Sequence, residues 1–155
     1  MRRTVPDRRP VPLCVDLDET LIRTDILWES VIQLWRSPVV ALRALSALTL
    51  HGKAAFKEVL AEAIAIDPAT LPYRDDVLEF VRLQHANGRE VVLATATHRI
   101  VAQRVADHLG VFCRVFATEG GVNLSSAHKR AALEAAYGKH GFDYVGDNQK
   151  DLPVL

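Results

Sequence analysis

The sequence predicts an α/β fold with a doubly wound parallel sheet, and two observations support that prediction. Four short apolar runs alternate with helical patterns, which is the order that parallel strands and crossover helices produce. The runs are also apolar almost throughout, as strands covered on both faces are. The predicted strands are 11–17 ("VPLCVDL"), 90–96 ("EVVLATA"), 114–118 ("RVFAT") and 142–146 ("FDYVG").

The helices between the later strands have recognisable starts and ends. An Asp, Thr or Ser precedes each helical pattern and can cap its first turn. A glycine follows each pattern and can end the helix in the left-handed conformation. The predicted helices, with these flanking residues, are 76–86 (Asp75, Gly88), 98–109 (Thr97, Gly110) and 127–137 (Ser125-Ser126, Gly138).

The stretch after the first strand breaks this alternation, because residues 25–71 carry no strand pattern. Pro38 stands where a helix start tolerates proline, and Gly52 stands where a helix ends. We therefore expect 25–71 to be a small helical insertion that serves as a cap over a site or as a surface for a partner. Its predicted helices are 25–36, 38–52 and 53–67. The predicted organisation is a disordered basic leader (1–10), a core in two pieces (11–24 and 72–155) and the insertion (25–71).

The composition excludes several classes of function. The 155 residues include 19 Lys and Arg and 19 Asp and Glu, so no net field attracts nucleic acid. The longest apolar stretch, 38–50, is interrupted by Arg43 and is too short to cross a bilayer, so no transmembrane segment is predicted. The two cysteines have no metal-ligand spacing, which favours a reducing, cytoplasmic setting.

An acidic pair closes the first strand, where "VDLDETL" places Asp16 and Asp18 one residue apart. On a continuing strand both side chains would face the same side. Two carboxylates about 4 Å apart repel by roughly 4 kcal/mol at an effective dielectric near 20. Alone, either residue can equally be a helix cap or a solvated loop carboxylate. A bound cation would make the arrangement useful.

Further polar residues follow the other strands, at the edge where open parallel sheets bind ligands. They are Thr95 after the second strand, Lys129 in the first turn of the last helix, and Asp147 and Asp151 after the fourth strand. Converging carboxylates select a hard cation, and Mg²⁺ binds such oxygens together with a substrate phosphate. A hydroxyl and an ammonium group supply donors for the phosphoryl oxygens. The order of these residues therefore predicts a magnesium and phosphate site.

The motifs "DLDET", "LATAT", "SSAHKRAAL" and "GDNQKD" resemble, in this order, those of the haloacid dehalogenase superfamily of phosphohydrolases. The resemblance runs from residue 13 to residue 151. It implies a Rossmann-like core with a cap inserted after the first strand, and hydrolysis of a phosphomonoester. Dehalogenating relatives typically lack the second aspartate of the first motif, so Asp18 favours phosphoryl chemistry.

The same resemblance implies a role for each matching residue. Asp16 would be the nucleophile that forms an aspartyl-phosphate, and Asp18 the acid and base that serves the leaving oxygen and then water. Thr95 and Lys129 would hold the phosphoryl oxygens. The implied Mg²⁺ ligands are Asp16, the backbone carbonyl of Asp18 and Asp147, with Asp151 supporting them.

A narrower resemblance concerns "DLDETLIRTDILWES", "DPATLPY" and "VNLSSAHKRAALEAAYG". These stretches resemble the soluble phosphatase-like region that precedes UbiA-type prenyltransferases in bacterial fusion proteins. This resemblance implies a cytoplasmic domain associated with a membrane prenyltransferase. With the motifs above, the leading hypothesis is a Mg²⁺-dependent phosphatase acting on a small or lipid-linked phosphomonoester.

Two departures from the superfamily pattern keep a second hypothesis open. Glu19 occupies a position where much of the superfamily has glycine, and the chain stops at "DLPVL", before a further helix and strand that the core usually has. The fourth strand is therefore expected at a sheet edge, in a truncated core. The second hypothesis is a weakly catalytic regulatory or binding domain that docks on the prenyltransferase. A phosphoacceptor receiver domain is disfavoured, because it has no counterpart of "GDNQKD".

Overall fold

Nine helices and strands organise residues 10–146, the part of the chain that the computed structural model describes. The strands are β1 (Leu13–Val15), β2 (Val91–His98), β3 (Arg114–Thr118) and β4 (Asp143–Val145). The helices are α1 (Ile26–Leu34), α2 (Pro38–Ala63), α3 (Asp75–Ala86), α4 (Arg99–Leu109) and α5 (Ser126–Tyr137). Two short helical turns, Leu17–Leu21 and Pro68–Thr70, connect them.

The four strands form one parallel sheet in the order β3-β2-β1-β4. Leu13 of β1 pairs with Val91 of β2 and with Asp143 of β4, so β1 lies inside the sheet. The chain goes from β1 to β2 and β3 on one side and returns to β4 on the other. Such a reversal opens a crevice at the carboxyl ends of the strands, where ligands bind. The predicted α/β fold is confirmed, and β4 lies at an edge of the described sheet.

Both faces of the sheet are covered, as the apolar runs predicted. Leu13 and Val15 of β1 belong to the larger core cluster, which the inserted helices share with α3 and α4. Cys14, between them, belongs to a smaller cluster with Val92 and Leu133 on the opposite face. This alternation follows from the two-residue period of a strand. Burial raises the pKa of the Cys14 thiol to about 12, which suits a packing role.

Two predicted helix caps are wrong, although the helices themselves are where the sequence predicts them. Asp75 is the first residue of α3, and Arg74 occupies the capping position. The strand β2 continues through Thr97 to His98, so α4 begins one residue later than predicted. The Nδ1 atom of His98 accepts a hydrogen bond from the Ile100 amide at 3.3 Å and caps the helix. The sequence pattern did not show that pairing with β3 extends β2.

The helix α2 joins the two helices predicted at 38–52 and 53–67. Gly52 interrupts it with a φ of +83°, as the predicted stop at that residue required. The half after Gly52 packs on the core through Leu60 and Ala61, whereas the half before it is largely exposed. By length and composition alone, α2 is the one helix of residues 10–146 that could cross a membrane. The stretch considered for a membrane span in the sequence, 38–50, covers only its first half.

Candidate active site

Asp16 and Lys129 form a buried ion pair at the carboxyl end of β1. Asp16 directly follows the strand, and its amide donates to the Val145 carbonyl at 2.9 Å, which ties it to β4. Lys129 extends from the first turn of α5 and is 2% exposed. Its Nζ donates to Asp16 Oδ1 at 3.0 Å and to the Tyr144 hydroxyl at 2.9 Å. The structure thus brings together two predicted site residues that lie 113 positions apart in the chain.

Asp18 lies in the turn after Asp16 and connects that turn to the inserted helices. Its Oδ1 accepts from the Ile26 amide at the start of α1 at 2.8 Å, and its Oδ2 accepts from Thr97 Oγ1 at 2.7 Å. Burial raises the pKa of the Asp18 carboxyl, while those two hydrogen bonds oppose the shift. A carboxyl group with a raised pKa is suited to donate a proton near neutral pH.

Asp16 and Asp18 line the same cavity, although the paired part of β1 ends before them. The strand β1 ends at Val15, and the backbone is still extended at Asp16 (φ −77°, ψ 156°) and at Asp18 (φ −70°, ψ 132°). Each carboxylate has its own donors: Lys129 for Asp16, and Thr97 with the Ile26 amide for Asp18. The expected repulsion is therefore relieved within the described residues by protein donors.

The threonine that lines the cavity is Thr97, two residues after the predicted Thr95. Thr95 is fully buried, accepts from the Thr97 amide at 3.0 Å, and lies 3.4 Å from Asp18 Oδ2. Thr97 makes the shorter contact with Asp18 and lines the cavity. The predicted phosphate contact of Thr95 stays a prediction. Of these two threonines, Thr97 is the one that lines the cavity.

A cavity of about 510 Å³ lies between these residues and the inserted helices. Polar groups from Asp16, Asp18, Thr97 and Lys129 line it from the core. The inserted helices add the polar residues Ser30, Lys53 and Lys57. With α4 they also add the apolar lining residues, which are Ile26, Leu27, Leu48, Phe56, Leu60, Ala61 and Val101. The inserted helices therefore cover the site, as expected of a cap. A ligand here would meet both charged groups and hydrocarbon.

Lys57 of α2 is a site residue that the sequence analysis missed. Its Nζ donates to the Ala96 carbonyl at 2.7 Å and to Asn123 Oδ1 at 2.9 Å, so it bridges the inserted helices and the core. Burial lowers the pKa of Lys57, although the nearby Asp18 carboxylate opposes that shift. A signal was present in the sequence: Lys57 lies three residues from Leu60, on the side of the helix that an amphipathic pattern buries.

Two further residues complete the rim of the cavity. His98 is buried and lines the cavity. Burial lowers the pKa of its imidazole, and the nearby Glu58 opposes that shift. Asn123 Oδ1 accepts the hydrogen bond from Lys57 Nζ, and it also lies 3.4 Å from the buried Thr118 hydroxyl. These contacts connect the ends of β2 and β3 to the cavity.

Glu19 adopts a left-handed conformation, with φ of +60° and ψ of −5°. This explains why glycine suits the position, because L-residues with a side chain pay about 1–2 kcal/mol in that region. We expect Glu19→Gly to raise the free energy of unfolding by about 1 kcal/mol relative to Glu19→Ala, which keeps a Cβ. Urea unfolding of the two variants measures the difference. Equal stabilities would show that the backbone at Glu19 is not strained.

The acidic residues in the described part of the chain do not by themselves complete a metal site. Across residues 10–146, no group of three or more His, Cys, Asp or Glu side chains is placed to hold an ion. Asp147 and Asp151, the other predicted acids, lie outside the described residues. The remaining predicted donors, the Asp16 carboxylate and the Asp18 carbonyl, are hard oxygen ligands of the kind that Mg²⁺ prefers.

The sequence is similar to a known family of hydrolases and to a longer bacterial protein. Residues 38–155 match the model of the haloacid dehalogenase-like hydrolase family. An uncharacterized protein of Sinorhizobium fredii is 37% identical over 147 residues. That match covers 94% of this chain and 28% of the relative, so the chain spans about a quarter of that protein's length.

Solved structures share the fold at low sequence identity. A HAD family hydrolase from Salmonella enterica serovar Typhi superposes with a TM-score of 0.61 and 18% identity, over 97% of this chain and 61% of that one. A phosphoserine phosphatase in the form of a phospho-aspartyl intermediate analogue superposes with a TM-score of 0.61 and 15% identity. That match covers 94% of this chain and 82% of the phosphatase.

Proposed function

The chain belongs to the haloacid dehalogenase-like hydrolase family, and on that basis we propose that it is a Mg²⁺-dependent phosphohydrolase that forms an aspartyl-phosphate on Asp16. The observation that carries the proposal is the buried pair of Asp16 and Lys129 in the lining of the cavity. An ammonium 3.0 Å from Asp16 Oδ1 favours the ionised, nucleophilic carboxylate. The same ammonium can stabilise charge on a phosphoryl group bound beside it.

The proposed reaction has two steps that use the same two carboxyl groups. In the first, an Asp16 oxygen bonds to phosphorus, the ester P–O bond breaks, and Asp18 gives its proton to the leaving oxygen. In the second, Asp18 takes a proton from water as the water oxygen attacks phosphorus, which releases Asp16 and inorganic phosphate. The raised pKa of Asp18 agrees with the first of these roles. Thr97 holds the Asp18 carboxyl at the cavity wall.

We include Mg²⁺ in the proposal because the candidate ligands are hard oxygen atoms, which this ion prefers. Asp16 and the Asp18 carbonyl would hold it, together with Asp147 as the sequence motif implies. When bound, the ion would neutralise charge on the phosphoryl oxygens. The phosphatase relative, described as a phospho-aspartyl intermediate analogue, supports the covalent chemistry by similarity of fold.

The cavity supports a substrate class: a phosphomonoester with an apolar body, small or lipid-linked. Leu27, Phe56 and Leu60 line the same cavity as Asp16 and Lys129. Burying one methylene group contributes about 0.8 kcal/mol. Among alkyl phosphates, kcat/KM should therefore rise by up to about fourfold per added methylene until the cavity is filled.

The experiment that tests the function is a screen of the purified chain against p-nitrophenyl phosphate, alkyl phosphates and phosphorylated metabolites, with Mg²⁺ and with EDTA. We expect turnover with Mg²⁺ that EDTA abolishes and excess Mg²⁺ restores. Metal binding without turnover of any ester would contradict the proposal. That result would favour the alternative, a regulatory domain that associates with a membrane prenyltransferase.

Lys57 allows a test of how the inserted helices contribute. A hydrogen bond to a charged group contributes about 1.5–3 kcal/mol, so Lys57→Met should lower kcat/KM by roughly 10-fold to 100-fold. Lys53→Met is the matched control, because Lys53 lines the same cavity one turn earlier on α2 but is exposed. Steady-state kinetics of both variants give the comparison. An equal effect of the two substitutions would show that Lys57 acts only through its charge at a distance.

A further inference from the structure

The inserted helices present large apolar side chains to solvent. We call six of them, on α1, in the α1–α2 turn and on the first half of α2, the apolar patch: Trp28, Ile32, Trp35, Val39, Leu42 and Leu45. Their exposed fractions run from 58% for Leu45 to 91% for Trp35. Trp28, Ile32 and Trp35 recur at the spacing of one helical face. Single exposed apolar residues are ordinary, but a row of this size marks an interaction surface.

The first half of α2 is apolar on nearly all sides, which normally indicates a buried helix. Only Ala44 and Ala47 on this half are buried, and both are small. The larger Val39, Leu42 and Leu45 face outward. Residues 10–146 do not bury these side chains. Only contact with a surface outside those residues would bury them.

The charges around the apolar patch identify that surface. From Ser30 to Lys57, which includes every patch residue except Trp28, the sequence contains no Asp or Glu, yet it contains Arg36, Arg43 and Lys53, which are all exposed. The one acid next to the patch is Glu29, which is half-buried. An exposed apolar surface whose exposed charges are cationic complements an anionic lipid bilayer. Tryptophan and arginine also prefer the membrane interface, where an apolar body and a polar tip are both satisfied. We propose that this face of the inserted helices docks onto an anionic membrane surface.

Two other occupants fit less well. In a symmetric dimer the same patch would face itself, so Arg36 and Arg43 would meet cations and no carboxylates from this stretch. A membrane crossing by the whole of α2 would remove Leu60 from the core and Lys57 from the Ala96 carbonyl. The kink at Gly52 separates an exposed half from a buried half, which suits a helix that lies on the bilayer.

Docking in this orientation would place lipid close to the cavity. Leu48, one turn beyond Leu45 on α2, is 38% exposed and also lines the cavity. The apolar surface therefore continues from the patch toward the site. An amphiphilic phosphate ester could enter from the bilayer with its hydrocarbon on this path; that consequence alone rests on the proposed function, whereas membrane docking does not.

Intrinsic fluorescence offers a direct test, because the chain has two tryptophans and both belong to the apolar patch. The purified chain is titrated with vesicles of phosphatidylcholine, with and without phosphatidylglycerol, and binding is confirmed by sedimentation. We expect a blue shift of the tryptophan emission and co-sedimentation with the anionic vesicles only. Neither readout requires turnover, so failure of docking and failure of catalysis are distinguishable.

Paired variants distinguish docking through the apolar patch from non-specific adsorption to vesicles. Each Lys or Arg near an anionic surface contributes about 1 kcal/mol, so Arg36→Glu with Arg43→Glu should weaken vesicle binding about thirtyfold or more. The matched control is Arg82→Glu with Arg104→Glu, on exposed positions of α3 and α4, which should bind like the wild type. Circular dichroism checks that both pairs fold.

The apolar contribution is tested in the same way. Leu42→Ser with Leu45→Ser should reduce the fraction of the chain that binds to anionic vesicles, whereas Leu83→Ser, at an exposed site on α3, should not. Three outcomes would overturn the proposal: no binding to anionic vesicles, equal binding by the two arginine pairs, or burial of the tryptophans by self-association without lipid. The last would assign the apolar patch to a second copy of the chain.

Discussion

Asp16→Asn is expected to abolish Mg²⁺-dependent hydrolysis of p-nitrophenyl phosphate, with kcat at least about 1,000-fold below the wild type. The amide has nearly the shape of the carboxylate but cannot serve as the nucleophile. It keeps an oxygen that can accept from Lys129, which lies 3.0 Å from Asp16 Oδ1 in the wild type. The fold should therefore survive the change, and a thermal unfolding curve will show whether it does.

The control for Asp16→Asn removes a carboxylate elsewhere. Asp76→Asn makes the same chemical change at an exposed position of α3, and its activity should match the wild type. The measurement is the initial rate at saturating Mg²⁺ for all three proteins. If Asp16→Asn turned over substrate as fast as Asp76→Asn, Asp16 would not be the nucleophile, although the family and the fold would stand.

Lys129→Met is expected to have the largest effect on stability. It leaves the buried Asp16 carboxylate without the Lys129 ammonium, and breaking a buried pair from one side costs about 3–5 kcal/mol. Activity should also fall, because the phosphoryl group loses a cationic donor. Urea unfolding gives the change in stability. Arg130→Met is the neighbouring control: its exposed pair with Glu134 on the same helix should contribute little.

A double-mutant cycle shows whether the cost belongs to the pair. In the Asp16→Asn background Lys129→Met no longer takes an ammonium away from a buried carboxylate, so it should cost clearly less than in the wild type. The coupling energy is the difference between the two costs. Identical costs in both backgrounds would mean that Lys129 stabilises the fold through other contacts, such as that with Tyr144.

Most of the sheet could be predicted because its signals are local. The apolar runs, their alternation with helices and the stops at Gly110 and Gly138 depend on neighbouring residues. Asp16 and Lys129 were also predictable, since residues at the carboxyl ends of parallel strands must converge on one edge. That argument needs only strand order along the chain. It does not need the distances between side chains.

Other parts of the site depend on contacts between distant segments. The extension of β2 to His98, through pairing with Thr118 of β3, places Thr97 rather than Thr95 at the cavity. Lys57 enters the site because α2 folds back over the sheet, 39 residues before the carbonyl that it contacts. The helical spacing from Leu60 places Lys57 on the buried side of α2, but no local pattern specifies which element that side meets.

By itself, the amino-acid sequence determined the α/β class, the insertion after β1 and the chain order of the residues proposed for catalysis. Periodicity and strand-end chemistry are encoded over a few neighbouring residues, so they can be read without coordinates. Only the tertiary structure decided that Asp18 contacts Thr97 and the start of α1, and that the inserted helices leave Trp35 in solvent. Those outcomes depend on packing between segments far apart in the chain, where burial and hydrogen bonding select one arrangement.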